Sequence, residues 1–176
     1  MHQNRALFLD RDGIINQDYG YVATRDRFDF LDGIFDVCRH ALSKNYLVIV
    51  ITNQSGIARG LYTVEDFLEL TSWMTNEFEK QSITIKQVYF CPHYPESNLP
   101  EFAHTCNCRK PKPGLFLNAA KDHNINLTQS IAIGDKARDL IAAHAAGVGT
   151  KILLSYKGCN AADRVVQSHA ELIKFL

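Results

Sequence analysis

The stretch Ala6-Leu7-Phe8-Leu9-Asp10-Arg11-Asp12-Gly13 sets two carboxylates directly behind an apolar run of strand length. A buried strand that delivers an Asp at its carboxyl tip places a reactive group in a crevice. Asp12, two residues on, can point at the same small volume, and Gly13 lets the chain turn away without crowding a ligand. Two carboxylates that close repel each other unless a cation lies between them, so the pair asks for a hard metal such as Mg²⁺. Taken alone, an ordinary surface turn accounts for the same residues. Two more apolar runs stop in the same fashion. Leu47-Val48-Ile49-Val50-Ile51 ends in Thr52-Asn53-Gln54-Ser55-Gly56, where a hydroxyl and successive N–H groups can cradle a phosphate or simply form a polar loop. The run at 130–133 ends in Gly134-Asp135-Lys136-Ala137-Arg138-Asp139. Asp135 is a third carboxylate at a strand tip and can complete a metal site, with Asp139 one helical turn behind it.

A second constellation is Cys91-Pro92-His93, twelve residues, then Cys106-Asn107-Cys108. Three thiolates and an imidazole form a Cys₃His set, a closed tetrahedral zinc site with no position left for substrate. The loop 91–108 holds Pro92, Pro95 and Pro100 and little apolar content, so metal binding would supply the order that packing cannot. A disulfide between two of these cysteines is the alternative, and a reducing compartment disfavours it. Arg109-Lys110-Pro111-Lys112-Pro113-Gly114 follows at once. A short basic run is usually a solvated face, but this one is stiffened by prolines and anchored by the metal. Fixed cations beside paired carboxylates suggest a phosphorylated substrate.

These groups need a scaffold of alternating strands and helices. The periodicity predicts strands at 6–9, 47–51, 87–90, 130–133 and 151–154. It predicts helices at 32–45 capped by Asp32, from Thr63 onward with Phe67, Leu70, Met74 and Phe78 buried, from Pro113 to about 124, and up to Ala146 with Gly147 as its C-terminal cap. Ser168-His169-Ala170-Glu171 has the form of a capping box opening a last helix. Cys38 reads as core, and Cys159 and His169 read as incidental. Strands alternating with helices imply a parallel sheet covered on both faces, with ligands beyond the carboxyl ends of the strands. Asp10, Thr52 and Asp135 all fall there, so three weak signals converge on one crevice.

The 176 residues suit a single domain, 1–176, large enough for a full core. Nineteen basic and nineteen acidic residues cancel, which argues against a nucleic-acid surface. There is no signal-peptide-like apolar segment and no run of bilayer length, so neither membrane nor secretion is expected and a cytoplasmic location is.

In motif order and over nearly its whole length, the chain resembles the haloacid dehalogenase-like phosphatases. The first motif is matched by Asp10-Arg11-Asp12-Gly13, the second by Thr52-Asn53, the third by Lys110 and the fourth by Gly134 to Asp139. Within that family the zinc set, Asp18-Tyr19-Gly20-Tyr21, the run from Thr52 to Gly60 and Arg109-Lys110-Pro111 are similar to the zinc-loop branch acting on sugar bisphosphates. Histidinol-phosphate phosphatases are the neighbouring group. The resemblance implies a three-layer, Rossmann-like doubly wound parallel α/β sheet, haloacid dehalogenase-like, with no cap domain and with a zinc-binding loop. It implies Asp10 as nucleophile, Asp12 as general acid and base, and Thr52 and Lys110 on the phosphoryl oxygens. Mg²⁺ would be held by Asp10, the Asp12 backbone carbonyl and Asp135, and structural Zn²⁺ by Cys91, His93, Cys106 and Cys108. Asp18, Tyr19, Gly20, Tyr21, Asn53, Gln54, Ser55, Arg109 and Lys136 would bind a small phosphorylated sugar in an open site on a monomer. A phosphotransferase or mutase using the same Asp10, and a silent zinc-loop binding module, are the readings from other classes.

Overall fold

The computed structural model describes residues 3–155 and 158–176. Six parallel strands form one sheet: β1 Arg5–Leu9, β2 Tyr46–Asn53, β3 Ile85–Cys91, β4 Ile131–Gly134, β5 Thr150–Leu154 and β6 Arg164–Val166, in the order β3-β2-β1-β4-β5-β6. The helices are α1 Ile34–Ser43, α2 Ser55–Ala58, α3 Val64–Lys80, α4 Gly114–Asp122, α5 Ala137–Ala146 and α6 His169–Leu172.

The three layers follow from the alternation of side chains along buried strands. Leu7 and Leu9 of β1 join a core with Ile34, Val37 and Ala41 of α1, Leu70, Met74 and Phe78 of α3, and Leu172 of α6. Ala6 and Phe8 face the other way, onto Leu115, Phe116 and Ala119 of α4 and Ala142 and Ala143 of α5. The chain runs outward from β1 to β3, returns to β4 beside β1, then runs outward again. The two halves part at the carboxyl ends of β1 and β4, where a parallel sheet opens its ligand crevice. The connection from β1 to α1 contains only a short turn at Arg25–Arg27. The connection from β3 to α4 is the cysteine loop, so the crevice carries no cap domain.

Several sequence expectations change. The sheet has a sixth strand: β6 has three residues, of which only Val166 is buried, too short and too polar to leave a period. Asp32 does not cap α1; the N-cap is Gly33, at φ 85°. Thr63 does cap α3, accepting from Asp66 N while Asp66 accepts from Thr63 N. Ser168 makes no such box: α6 is one turn long, its hydroxyl lies 3.3 Å from Glu171 Oε1, and Glu171 N bonds the Ser168 carbonyl instead. His169 is not incidental. It is buried, and its Nε2 donates to the Ile14 carbonyl at 2.7 Å. Cys159 Sγ accepts from Ala161 N at 3.4 Å.

Candidate active site

β1 delivers Asp10 into the crevice at 7% exposure, and Arg11 N donates to its Oδ1 at 2.8 Å. Lys110 reaches it from the segment after the cysteine loop. That segment is tied to the end of β2: Asn53 Nδ2 donates to the Lys110 carbonyl and Lys110 N donates to Asn53 Oδ1, both at 3.0 Å. Lys110 Nζ lies 3.0 Å from Asp10 Oδ1, 2.7 Å from Asp139 Oδ1 and 2.8 Å from the Ile51 carbonyl. Arg109 lines the cleft, whereas Lys110 beside it is 3% exposed. The reason is direction: neighbouring residues project to opposite sides, and only Lys110 has carboxylates on its side to compensate burial.

Asp10, Asp135 and Asp139 bring carboxylate oxygens within 4.8 Å of one another. Burial pushes Asp10 up to about 7; Lys110 pulls it down, while Asp139, Asp135 and Asp12 push it further up. Burial also raises Asp135. Burial works against the charge of Lys110, but Asp10 and Asp139 hold its ammonium above the usual lysine range. One lysine among these carboxylates leaves negative charge in excess, and Asp135 Oδ1 is buried with no hydrogen-bond partner. Oxygen donors, surplus charge and a bare buried oxygen fit a hard divalent cation such as Mg²⁺. Gly13, at φ +89°, closes over the group: a Cβ there would sit 2.4 Å from Asp135 Oδ2.

Asp12 turns away from this group. Its carboxylate accepts from Arg11 Nη2 at 2.9 and 3.0 Å, from Asn16 Nδ2 at 3.0 Å and from Gln54 Nε2 at 3.1 Å. Only its backbone carbonyl is thus left as a candidate metal donor. Gln54 Nε2 also donates to Thr52 Oγ1 at 2.8 Å, and the Tyr62 hydroxyl fixes the amide by donating to Gln54 Oε1 at 2.6 Å. Tyr62 fits because Gly56 has no side chain; a Cβ there would meet its ring at 2.1 Å. Arg11, Tyr62 and the Asp139–Lys110 contact were not assigned roles from sequence. The sequence signals for them were an arginine between two aspartates and the position of Asp139 one helical turn behind Asp135.

Sγ of Cys91, Cys106 and Cys108 and Nδ1 of His93 all lie within 4.8 Å of one another, and five of their six separations are 3.1–3.7 Å. A zinc tetrahedron with bonds near 2.3 Å has edges of roughly 3.7 Å, so the set fits that ion with minor adjustment. The cysteines are free, so the disulfide alternative falls away.

Above the carboxylates lies a cleft of about 340 Å³, lined among others by Asp18, Gly20, Tyr21, Asn53, Ser55 and Lys136. Lys136 Nζ donates to Asp18 Oδ2 at 2.7 Å; burial works against the Asp18 charge, but this bond, the Gly20 N–H and the charges of Lys136 and Arg138 together keep the carboxyl below its usual range. Tyr19 stands outside this lining, its hydroxyl donating to Asp29 at 2.7 Å.

Residues 107–171 match the HAD-hydrolase-like family model. The chain is 45% identical to a D-glycero-beta-D-manno-heptose-1,7-bisphosphate 7-phosphatase of Yersinia pestis, over 96% of this chain and 93% of that one. It belongs to the haloacid dehalogenase-like phosphatases. The Escherichia coli strain K12 protein of the same name is 43% identical, over 95% and 91% of the two chains. The D,D-heptose 1,7-bisphosphate phosphatase of B. bronchiseptica, solved with magnesium and phosphate, superposes with a TM-score of 0.84 at 28% identity, covering 97% of each chain. As a haloacid dehalogenase-like phosphatase, this chain is a phosphoric monoester hydrolase. Among its described residues no helix is long and apolar enough to cross a membrane.

Proposed function

We propose that this protein removes the C7 phosphate of D-glycero-β-D-manno-heptose 1,7-bisphosphate through an aspartyl-phosphate, in the cytoplasmic ADP-heptose route to the lipopolysaccharide core. The observation that carries this reading is Asp10, held at the tip of β1 against Lys110, in a chain whose relatives bear that activity in their names. Mg²⁺ on Asp10, Asp135 and the Asp12 carbonyl would place positive charge against the phosphoryl oxygens.

Asp10 is the nucleophile because Lys110 opposes the burial that would otherwise keep it protonated. Its free oxygen attacks phosphorus, and the bond from phosphorus to the C7 oxygen breaks. The leaving oxygen takes its proton from Asp12, whose resulting anion is met by Arg11, Asn16 and Gln54. Asp12 then takes a proton from water as that water attacks the phosphorus of the intermediate, which frees phosphate and restores Asp10. Thr52 and Lys110 meet the phosphoryl oxygens, since placement and charge supply most of the rate in phosphoryl transfer. Asp18, Gly20, Tyr21, Asn53, Gln54, Ser55, Arg109 and Lys136 hold the sugar and its second phosphate, and Tyr19 braces their loop through Asp29. Cys91, His93, Cys106 and Cys108 would hold Zn²⁺, which would fix the loop that ends beside Arg109.

Phosphate release from the heptose bisphosphate and from histidinol phosphate tests the assignment. The bisphosphate should turn over faster. Faster histidinol phosphate would favour histidine biosynthesis instead. Transfer to an acceptor other than water would favour a phosphotransferase or mutase, and no Mg-dependent release at all a binding module.

A further inference from the structure

The cleft contains more positive charge than its carboxylates use. Of its acids, Asp12 is paired with Arg11 and Asp18 with Lys136. Arg59, Arg109 and Arg138 also line it, and among the described residues none of the three has a carboxylate partner. Two of them are nevertheless held in place. The Arg59 guanidinium lies 4.0 Å from the centre of the Tyr94 ring and 5.8 Å from that of Tyr21. Arg109 lies 5.4 Å from the centre of the same Tyr94 ring, with its Nη1 donating to the His93 carbonyl at 3.2 Å.

Tyr94 directly follows a residue of the zinc set, and its hydroxyl is tied to Glu96 at 2.9 Å. One aromatic ring on the metal-anchored loop therefore positions two guanidinium groups, one from the segment after α2 and one from the segment after the loop. An aromatic face attracts a guanidinium without neutralising it or using its N–H donors. The Arg59 fork, and the Arg109 donors beyond the one given to His93, stay available for a ligand with several anionic oxygens, and a phosphate has the matching geometry.

We infer that Arg59, set beside Arg109 by Tyr94, is a specificity-determining residue that seats the phosphate the enzyme does not remove. This deepens the function proposed above and rests on it for the two-phosphate substrate. It goes further by adding Arg59 and by giving the zinc loop a second task, that of positioning Tyr94.

The experiment measures kcat/KM for heptose 1,7-bisphosphate and heptose 7-phosphate in the full-length, zinc-loaded protein and in Arg59→Gln, Tyr94→Leu and Tyr94→Phe. Arg59→Gln should lose about ten- to a hundredfold more on the bisphosphate than on the monophosphate, chiefly in KM, as expected for one lost charge-assisted contact. Tyr94→Leu should reproduce part of that loss, and Tyr94→Phe, which keeps the ring, should restore it. A second arm needs no turnover: heptose 1-phosphate binding to Asp10→Asn protein, with and without Arg59→Gln, read by calorimetry. The additional Arg59→Gln change should weaken it at least tenfold. Equal losses on both substrates, or unchanged heptose 1-phosphate binding, would overturn the role of Arg59. If the unmodified enzyme leaves the bisphosphate intact, the proposed function fails, and the binding arm still decides on Arg59.

Discussion

Replacing Lys110 with Met keeps the length of the side chain and removes its charge. Lys110 is 3% exposed, and its ammonium meets Asp10, Asp139 and the Ile51 carbonyl within 3.0 Å. The variant leaves two buried carboxylates without their cation and one carbonyl without a donor. Breaking a buried pair on one side costs about 3–5 kcal/mol, and that is the expected loss at pH 8 in chelator. The loss must shrink in acid. Asp10 is already raised to about 7 with Lys110 present, and without the lysine it rises further. A carboxyl raised in the folded state binds protons that the unfolded chain has released. Its penalty therefore grows as pH rises from the ordinary carboxylate range through the folded value, and vanishes below both. The unmodified protein regains stability in the same way below about 7, so the loss shrinks between the variant's higher Asp10 value and that one, by about 1.4 kcal/mol per pH unit. Urea unfolding of Lys110→Met and the unmodified protein at pH 8 and pH 6 reads this directly. Asp10→Asn in the same background should recover stability, since it removes one of the stranded charges. A loss below 1 kcal/mol at pH 8, a loss independent of pH, or no recovery in the double variant would refute the electrostatic reasoning.

The remaining expectations concern other parts of the molecule. Asp10→Asn alone should abolish phosphate release while leaving thermal stability equal or higher, because Lys110 keeps Asp139 as partner and the surplus negative charge falls; turnover by folded, undeamidated protein would remove Asp10 from its role. Freshly prepared, reduced protein should contain one zinc per chain by elemental analysis, and Cys106→Ser with Cys108→Ser should lose both zinc and activity by loosening the loop that carries Arg109. Full activity in that double variant would show that the metal does not position the site. Burial lowers the pKa of His169, whose neutral ring donates to Ile14. That contribution is present above the ordinary histidine value and is lost as pH falls through it. His169→Gln should thus show a flatter fall in urea midpoint between pH 7 and pH 5, and identical slopes would count against it.

What could be read from the chain without its structure was whatever rests on local pattern. An apolar run ending in a carboxylate needs only its neighbours to announce a strand tip, so Asp10, Thr52 and Asp135 were placed at the crevice. Cys91, His93, Cys106 and Cys108 announced a metal set through ligand type and spacing, which the folded loop then brought within 4.8 Å of one another. Thr63 was legible as the start of α3 because a cap depends only on residues within one turn, and the structure adds Asp66 as its reciprocal partner.

Contacts between distant segments were decided by the tertiary structure. Lys110 and Arg109 are adjacent and both cationic, yet one is buried between Asp10 and Asp139 and the other faces the cleft. That choice depends on which carboxylates await each side chain, and Asp139 lies in α5, beyond α4 and β4 from both residues. Asp12 looked like a partner of Asp10 on a shared metal, but Arg11, Asn16 and Gln54 draw its carboxylate elsewhere. His169 had no visible partner because its acceptor, Ile14, is 155 residues away. The meeting of Arg59 and Arg109 on Tyr94 depends on three segments that only the folded sheet and the cysteine loop bring together. A side chain's neighbours along the chain set the element it joins, whereas the charges and rings across the fold set where that side chain ends.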